Sequence, residues 1–165
     1  MPREIRVAIA GIGNCASSLI QGTEFYRAAQ KKTGLMNEKV GPYKVSDIRF
    51  VAAFDIDERK VGKDLSEAVY AEPNNTRKIV QVRPTGVKVQ MAQPLDGISP
   101  IAGDKVRPSK TKPSNIAKVL EDTKTDVLVN LTPTGASKAS DMYAQAALQA
   151  GRAFINATPA KIASN

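Results

Sequence analysis

The chain has 165 residues, a formal charge of +8 from 24 basic and 16 acidic side chains, one cysteine and no histidine or tryptophan. This composition excludes an internal disulfide, serine–histidine–aspartate and cysteine–histidine catalysis, and histidine-ligated metal, while 42% hydrophobic residues fit one globular domain with a core of its own. No apolar run approaches the roughly 20 residues that span a bilayer; the N-terminus does not read as a signal peptide, and the lone cysteine points to a reducing, cytoplasmic address.

Residues 4–10 are apolar and β-branched, as a buried parallel strand requires. The run Gly11-Ile12-Gly13-Asn14-Cys15-Ala16 follows. Ala16, Leu19, Ile20 and Thr23 then recur at helical spacing, predicting an amphipathic helix to about residue 30. A second strand is expected over 48–54, ending at Asp55, and a helix over roughly 58–70. Residues 72–114 hold six of the ten prolines (73, 84, 94, 100, 108 and 113), which argues against long helices there. Within that stretch, 78–82 and 87–91 flank Arg83-Pro84-Thr85-Gly86 and predict a small β-hairpin outside the main sheet. Ser114 is the expected N-cap of a helix to about Asp122. A strand at 126–131, the loop Thr132-Pro133-Thr134-Gly135, a helix over about 137–150 closed by Gly151, and a strand at 153–157 complete the chain.

Strands alternating with helices of this length imply a Rossmann-like, doubly wound parallel α/β sheet. Four main-sheet strands are predicted, where a complete sheet of this kind has about six, so the sheet is expected to be incomplete. One domain over 1–165 is expected, with insertions at about 31–47 and 72–114.

Gly11-x-Gly13-x-x-Ala16 fits the dinucleotide fingerprint, with a strand before it and a helix after it. Gly11 permits the tight turn, Gly13 lets a pyrophosphate approach the backbone, and Ala16 keeps helix and strand close. The amides around Asn14 and Cys15 would face the phosphates; the bland alternative is a glycine turn that merely packs. Asp55, at the tip of the second strand, suits the 2′- and 3′-hydroxyls of an adenosine ribose and would repel a 2′-phosphate, which favours NAD over NADP. It lies 44 residues after Gly11 rather than the usual interval of about 20, and Arg59 and Lys60 sit near enough to offset its charge. A turn residue ahead of Ile56-Asp57 is the other reading of Asp55. Leu131, Thr132, Pro133 and Thr134 belong on the same carboxyl edge of the sheet. Ser137 reads as a helix cap or a ligand contact, Cys15 as a small turn residue or a thiolate, and Tyr143 as core or site.

The basic charges are dispersed and have no aromatics interleaved among them, so nucleic acid is not the expected partner.

Residues 7–22 (VAIAGIGNCASSLIQG), 50–66 (FVAAFDIDERKVGKDLS), Pro73-Asn74-Asn75-Thr76, Leu95-Asp96-Gly97-Ile98 and 125–164 together closely resemble inositol-3-phosphate synthase of the prokaryotic type. The resemblance covers essentially the whole chain. It implies NAD-dependent isomerisation of glucose 6-phosphate to inositol 1-phosphate (the 3-phosphate in the other numbering), in inositol and phospholipid biosynthesis. It also implies that Gly11, Gly13, Asn14, Cys15 and Ala16 hold the pyrophosphate, that Asp55 takes the ribose, and that Asp64, Thr134 and Tyr143 lie near the cofactor; Asp57, two residues beyond Asp55, is expected among the cofactor-binding residues as well. The family's catalytic lysines belong to a second domain that this chain lacks, so no catalytic residue is expected here. Glucose 6-phosphate becomes a partner only if that domain is supplied, and a homo-oligomer without a membrane is expected. The competing reading is a stand-alone, non-catalytic dinucleotide-binding module.

Overall fold

The computed structural model describes residues 4–29, 33–98 and 106–163. The predicted end of the first helix at residue 30, the start of the first insertion, Pro100 and the last two residues lie outside them. The elements in chain order are β1 (Ile5–Ala10), α1 (Asn14–Ala28), a 3-10 turn (Val45–Asp47), β2 (Ile48–Asp55), α2 (Leu65–Ala68), β3 (Val89–Met91), α3 (Ile116–Asp122), β4 (Val127–Asn130), α4 (Ser137–Gln149) and β5 (Ala153–Asn156). They form one parallel sheet in the order β3-β2-β1-β4-β5.

Two-residue alternation sorts the central strand between two cores. Val7 and Ile9 pack with Ala16 and Ile20 of α1 and Leu65 and Ala68 of α2. Ala8 and Ala10 face the opposite way, and their small side chains leave room for Phe54, Leu120 of α3 and Tyr143 of α4. Helices therefore lie on both faces, which makes this a Rossmann-like, doubly wound α/β fold. The face carrying α1 and α2 is thinly covered at the far strands: Val127 and Val129 are only partly buried, and Ile155 is 51% exposed.

Five strands form the sheet rather than four, and the hairpin is where the count changes. Residues 87–91 do not pair with 78–82. Their outer side bonds to 62–65, through Gly62 N to Val89 O (2.8 Å), Val89 N to Lys63 O (2.9 Å) and Leu65 N to Val87 O (2.8 Å), while β3 runs parallel to β2. Residues 79–82 find side-chain partners instead: Ile79 N donates to Gln21 Oε1 (2.8 Å), Tyr70 Oη donates to Val80 O (2.6 Å), and Val82 N donates to Tyr70 Oη (3.1 Å).

The helix expected over 58–70 shrinks to α2. Gly62 takes φ +87°, which interrupts the helical turn, and Asp64 then caps a fresh one by accepting from Ser66 N at 2.8 Å. Asn115, not Ser114, caps α3, accepting from Lys118 N at 3.1 Å; Ser114 N instead donates to Met91 O. Ser137 does not cap α4 either. The Asp96 carboxylate reaches across from the proline-rich stretch and accepts from Lys138 N (2.8 Å) and Ala139 N (3.0 Å). Its carboxyl is held below the usual range: desolvation opposes ionisation, and the amides of Lys138 and Ala139 with the Lys138 charge together outweigh it.

Candidate functional site

All five strands are parallel, so their carboxyl ends meet at one edge. Gly11 N donates to Phe54 O (2.9 Å), Leu131 N to Ala10 O (2.8 Å) and Ala157 N to Asn130 O (3.1 Å), which places the glycine loop, Asp55 and the loop after β4 side by side.

The two loop glycines do different work. Gly11 has φ +84°, and a Cβ there would stand 2.9 Å from Leu131 O and 3.0 Å from Thr132 Cα. Gly13 has ordinary extended geometry, with φ −89° and ψ −161°, and a Cβ there would meet nothing within 4 Å. Gly13 therefore borders open space at the start of α1. That helix has no side-chain cap and no acidic residue in its first turn, so its leading amides receive no hydrogen bond from a capping side chain. Ala16 is fully buried beneath it, and Cys15 is exposed.

Asn14 is committed to the protein. Its Oδ1 accepts from Asn75 N (2.9 Å), Thr76 N (3.2 Å) and Thr76 Oγ1 (2.9 Å), so the 73–76 turn closes directly on the glycine loop. Between the glycines, Ile12 is held from both sides. Its N–H donates to Asp55 Oδ2 at 2.7 Å, and its carbonyl accepts from Lys60 Nζ at 2.8 Å and Asn74 Nδ2 at 3.0 Å.

Asp55 Oδ1 also accepts from Ile56 N (2.7 Å) and Asp57 N (2.9 Å). Three acceptor positions are thus filled out of the roughly four a carboxylate offers, which leaves one for a ligand hydroxyl. Asp57 is buried and turned away into a fork with Arg59 (2.7 and 2.9 Å). Burial alone would raise its pKa, but the hydrogen bonds and charge of Arg59 overcome that and hold the carboxyl below its usual range.

Asp64 stands apart from this edge. Besides capping α2, it accepts from Thr85 N (3.1 Å), Thr85 Oγ1 (2.9 Å) and Gly86 N (2.8 Å). Desolvation opposes ionisation, yet these donors bring its pKa down to about 2. The folded value lies below the ordinary one of 3.8, so the stability Asp64 contributes is complete above pH 3.8 and disappears as pH falls through about 2. Denaturant titrations across that window are expected to show a loss of about 1–2 kcal/mol, discounted for solvent screening, that Asp64→Asn lacks. An identical acid slope in the variant would remove this role.

In the loop after β4, Thr132 Oγ1 donates to Asn130 Oδ1 (2.8 Å) and lies 3.1 Å from Ser140 Oγ. Fully buried Asn130 donates to Ser140 Oγ (2.9 Å) and Asn156 Oδ1 (3.0 Å), tying the ends of β4 and β5 to α4. Pro133 and Thr134 are exposed, and Leu131 is half-buried over Gly11. Tyr143 is 3% exposed, with its ring 6.1 Å from that of Phe54; burial first, then the Asp55 charge, push its hydroxyl far above the usual range.

The structure thus brings Gly11, Gly13, Asn14, Ala16, Asp55, Leu131 and Thr132 to one edge, sets Asp57 and Tyr143 beneath it, and leaves Asp64 at a separate turn. The sequence places Lys60 near Asp55 only as a charge that offsets it and Asn74 only within the 73–76 turn; their bonds to Ile12, and the role of Asn130, come from the tertiary structure. Nothing in the run Asp-Glu-Arg-Lys marks one lysine for burial. Among the described residues no group of three or more acidic or cysteine side chains could hold a metal ion, and no helix is long and apolar enough to cross a membrane.

The fold and this edge define a Rossmann-like α/β protein. By sequence, the chain is 53% identical to the inositol-3-phosphate synthase of Mycolicibacterium smegmatis, over 98% of this chain and 46% of that one. The chain is homologous to the inositol-3-phosphate synthases along its own length, and it spans about half the length of the curated relatives it matches. Among solved structures, Ari2 superposes with a TM-score of 0.78 at 36% identity, over 96% of this chain and 46% of that one. A myo-inositol-1-phosphate synthase-related protein from Thermotoga maritima shares the fold, with a TM-score of 0.67 at 21% identity over 96% of this chain and 49% of that one. No protein-family model matches.

Proposed function

We propose that this chain is the NAD-binding part of an inositol-3-phosphate synthase. The observation that carries the reading is the contrast between the two loop glycines: a Cβ at Gly11 would run into protein, whereas one at Gly13 would meet nothing within 4 Å, at the start of a helix with no side-chain cap. A pyrophosphate satisfies both features, since it needs close backbone approach and unpaired N–H donors. Asp55 supplies the remaining acceptor position for a ribose hydroxyl, and its charge disfavours a 2′-phosphate. Thr134 lines the exposed side of the same edge, while Asn14, Asp57, Thr132 and Tyr143 shape and brace it, and Asp64 braces a separate turn. Cys15 contributes its backbone amide.

Relatives named inositol-3-phosphate synthase support glucose 6-phosphate as the substrate of the whole protein. Bound NAD would supply reversible hydride removal from the sugar. The residues described here bind and orient the dinucleotide, and the sugar chemistry belongs to parts of the enzyme this chain does not span. No turnover of glucose 6-phosphate is expected from residues 1–165.

Gly13→Ala tests the reading. The backbone angles and free space admit the methyl group, so the unfolding midpoint should fall by no more than about 2–4 °C, the effect of roughly 1 kcal/mol for alanine in place of glycine at the helix N-cap. Calorimetric NAD affinity should fall about tenfold or more, because the methyl group occupies the phosphate's approach. Equal NAD affinity in parent and variant would refute the placement.

A further inference from the structure

We propose that Lys60 and Asn74 are positioning residues that lock the Ile12–Gly13 peptide so that the Gly13 amide points at the dinucleotide pyrophosphate; this rests on the NAD-binding reading above. In a trans peptide, C=O and N–H point in opposite directions. The Ile12 carbonyl is drawn inward by two donors, Lys60 Nζ at 2.8 Å and Asn74 Nδ2 at 3.0 Å. The N–H of the same peptide, which belongs to Gly13, is therefore directed away from Lys60 and Asn74. A flipped peptide would aim a carbonyl at the phosphates and remove one donor. The flanking glycines leave this segment short of side-chain restraint, so outside partners must hold it.

Lys60 is built for that task. It is 4% exposed, and Nζ reaches a second partner, Asn74 Oδ1, at 3.0 Å. Asn74 completes the arrangement by donating to Val69 O at 3.1 Å, which anchors the turn to the end of α2. Burying an ammonium costs free energy unless donors and charges are matched. Burial lowers the Lys60 pKa, while Asp55 and Asp57 oppose that shift and Arg59 adds to it. A surface-facing lysine would avoid the cost and leave the peptide free to turn.

The experiment compares adenosine 5′-monophosphate, adenosine 5′-diphosphate and NAD as calorimetric ligands of the parent chain, Lys60→Met and Asn74→Ala. Methionine keeps the buried stem and removes the donor; alanine at 74 removes the other donor from a half-exposed turn, so at least one variant stays folded. The proposal expects ADP and NAD to weaken about 10- to 100-fold in Lys60→Met, and less in Asn74→Ala, while AMP changes less than twofold. Equal weakening of all three ligands would mark a general structural role and overturn the positioning assignment, as would unchanged ADP affinity. If the parent itself binds neither ADP nor NAD, the NAD-binding reading falls and this inference falls with it. That outcome is distinct from parent binding with an unselective variant.

Discussion

Gly11→Ala is expected to destabilise the fold by about 3 kcal/mol, lowering the unfolding midpoint by roughly 6–12 °C for a chain of this size. Two costs combine. At φ +84° an L side chain costs about 1–2 kcal/mol relative to glycine. The added Cβ would also stand 2.9 Å from Leu131 O, a backbone atom that cannot rotate aside. Yielding would require the 131–132 loop to move, and Leu131 N is bonded to Ala10 O while Thr132 is tied to Asn130. A backbone shift forced by overpacking of this kind costs on the order of 1–3 kcal/mol. Thermal unfolding followed by circular dichroism measures the shift, and Gly13→Ala is the internal control. Equal midpoints for the two variants would show that the close approach of β1 and the 131–132 loop is not what Gly11 is for.

Asp55→Ala should weaken NAD binding by about 2–3 kcal/mol, roughly 30- to 150-fold. A ribose-holding carboxylate accounts for part of this, since hydrogen bonds to charged groups contribute about 1.5–3 kcal/mol. The geometry adds a second loss. Oδ2 also accepts from Ile12 N at 2.7 Å, so alanine frees the glycine loop on the side opposite Lys60. Preference for NAD over NADP should narrow as well, because the negative charge that repels a 2′-phosphate is gone. Asp55→Asn retains an acceptor oxygen but not the charge, and should lie between parent and alanine in affinity with the same narrowed preference. Calorimetry with both dinucleotides reads both effects; unchanged NAD affinity in Asp55→Ala would remove Asp55 from the ribose site.

The residues that bore these expectations differ in how openly the sequence displays them. Gly11, Gly13 and Asp55 are readable because a strand period, a glycine turn and a helix period adjoin, and each is a property of neighbours in the chain. Tyr143 reads from the sequence as core or site, and the structure buries it with Ser140, Ala144 and Ala147 of its helix. Asp64 stands out only through family resemblance, and its bonds to Ser66, Thr85 and Gly86 show a brace whose partners lie up to 22 residues away.

By itself the sequence determined the α/β class, the glycine loop before a helix, and the acid at the end of β2. Those features rest on short-range periodicity and on steric demands local to a turn. Only the tertiary structure decided that residues 89–91 join the main sheet, that Asp96 rather than Ser137 caps α4, and that Lys60 is buried against Ile12. In each case a backbone or ammonium group must find a hydrogen-bond partner once water is excluded, and several candidates compete across long stretches of chain. The parallel sheet settles which of them comes within reach. Length and net charge carry no information on which basic side chain turns inward, and among the described residues Lys60 does so.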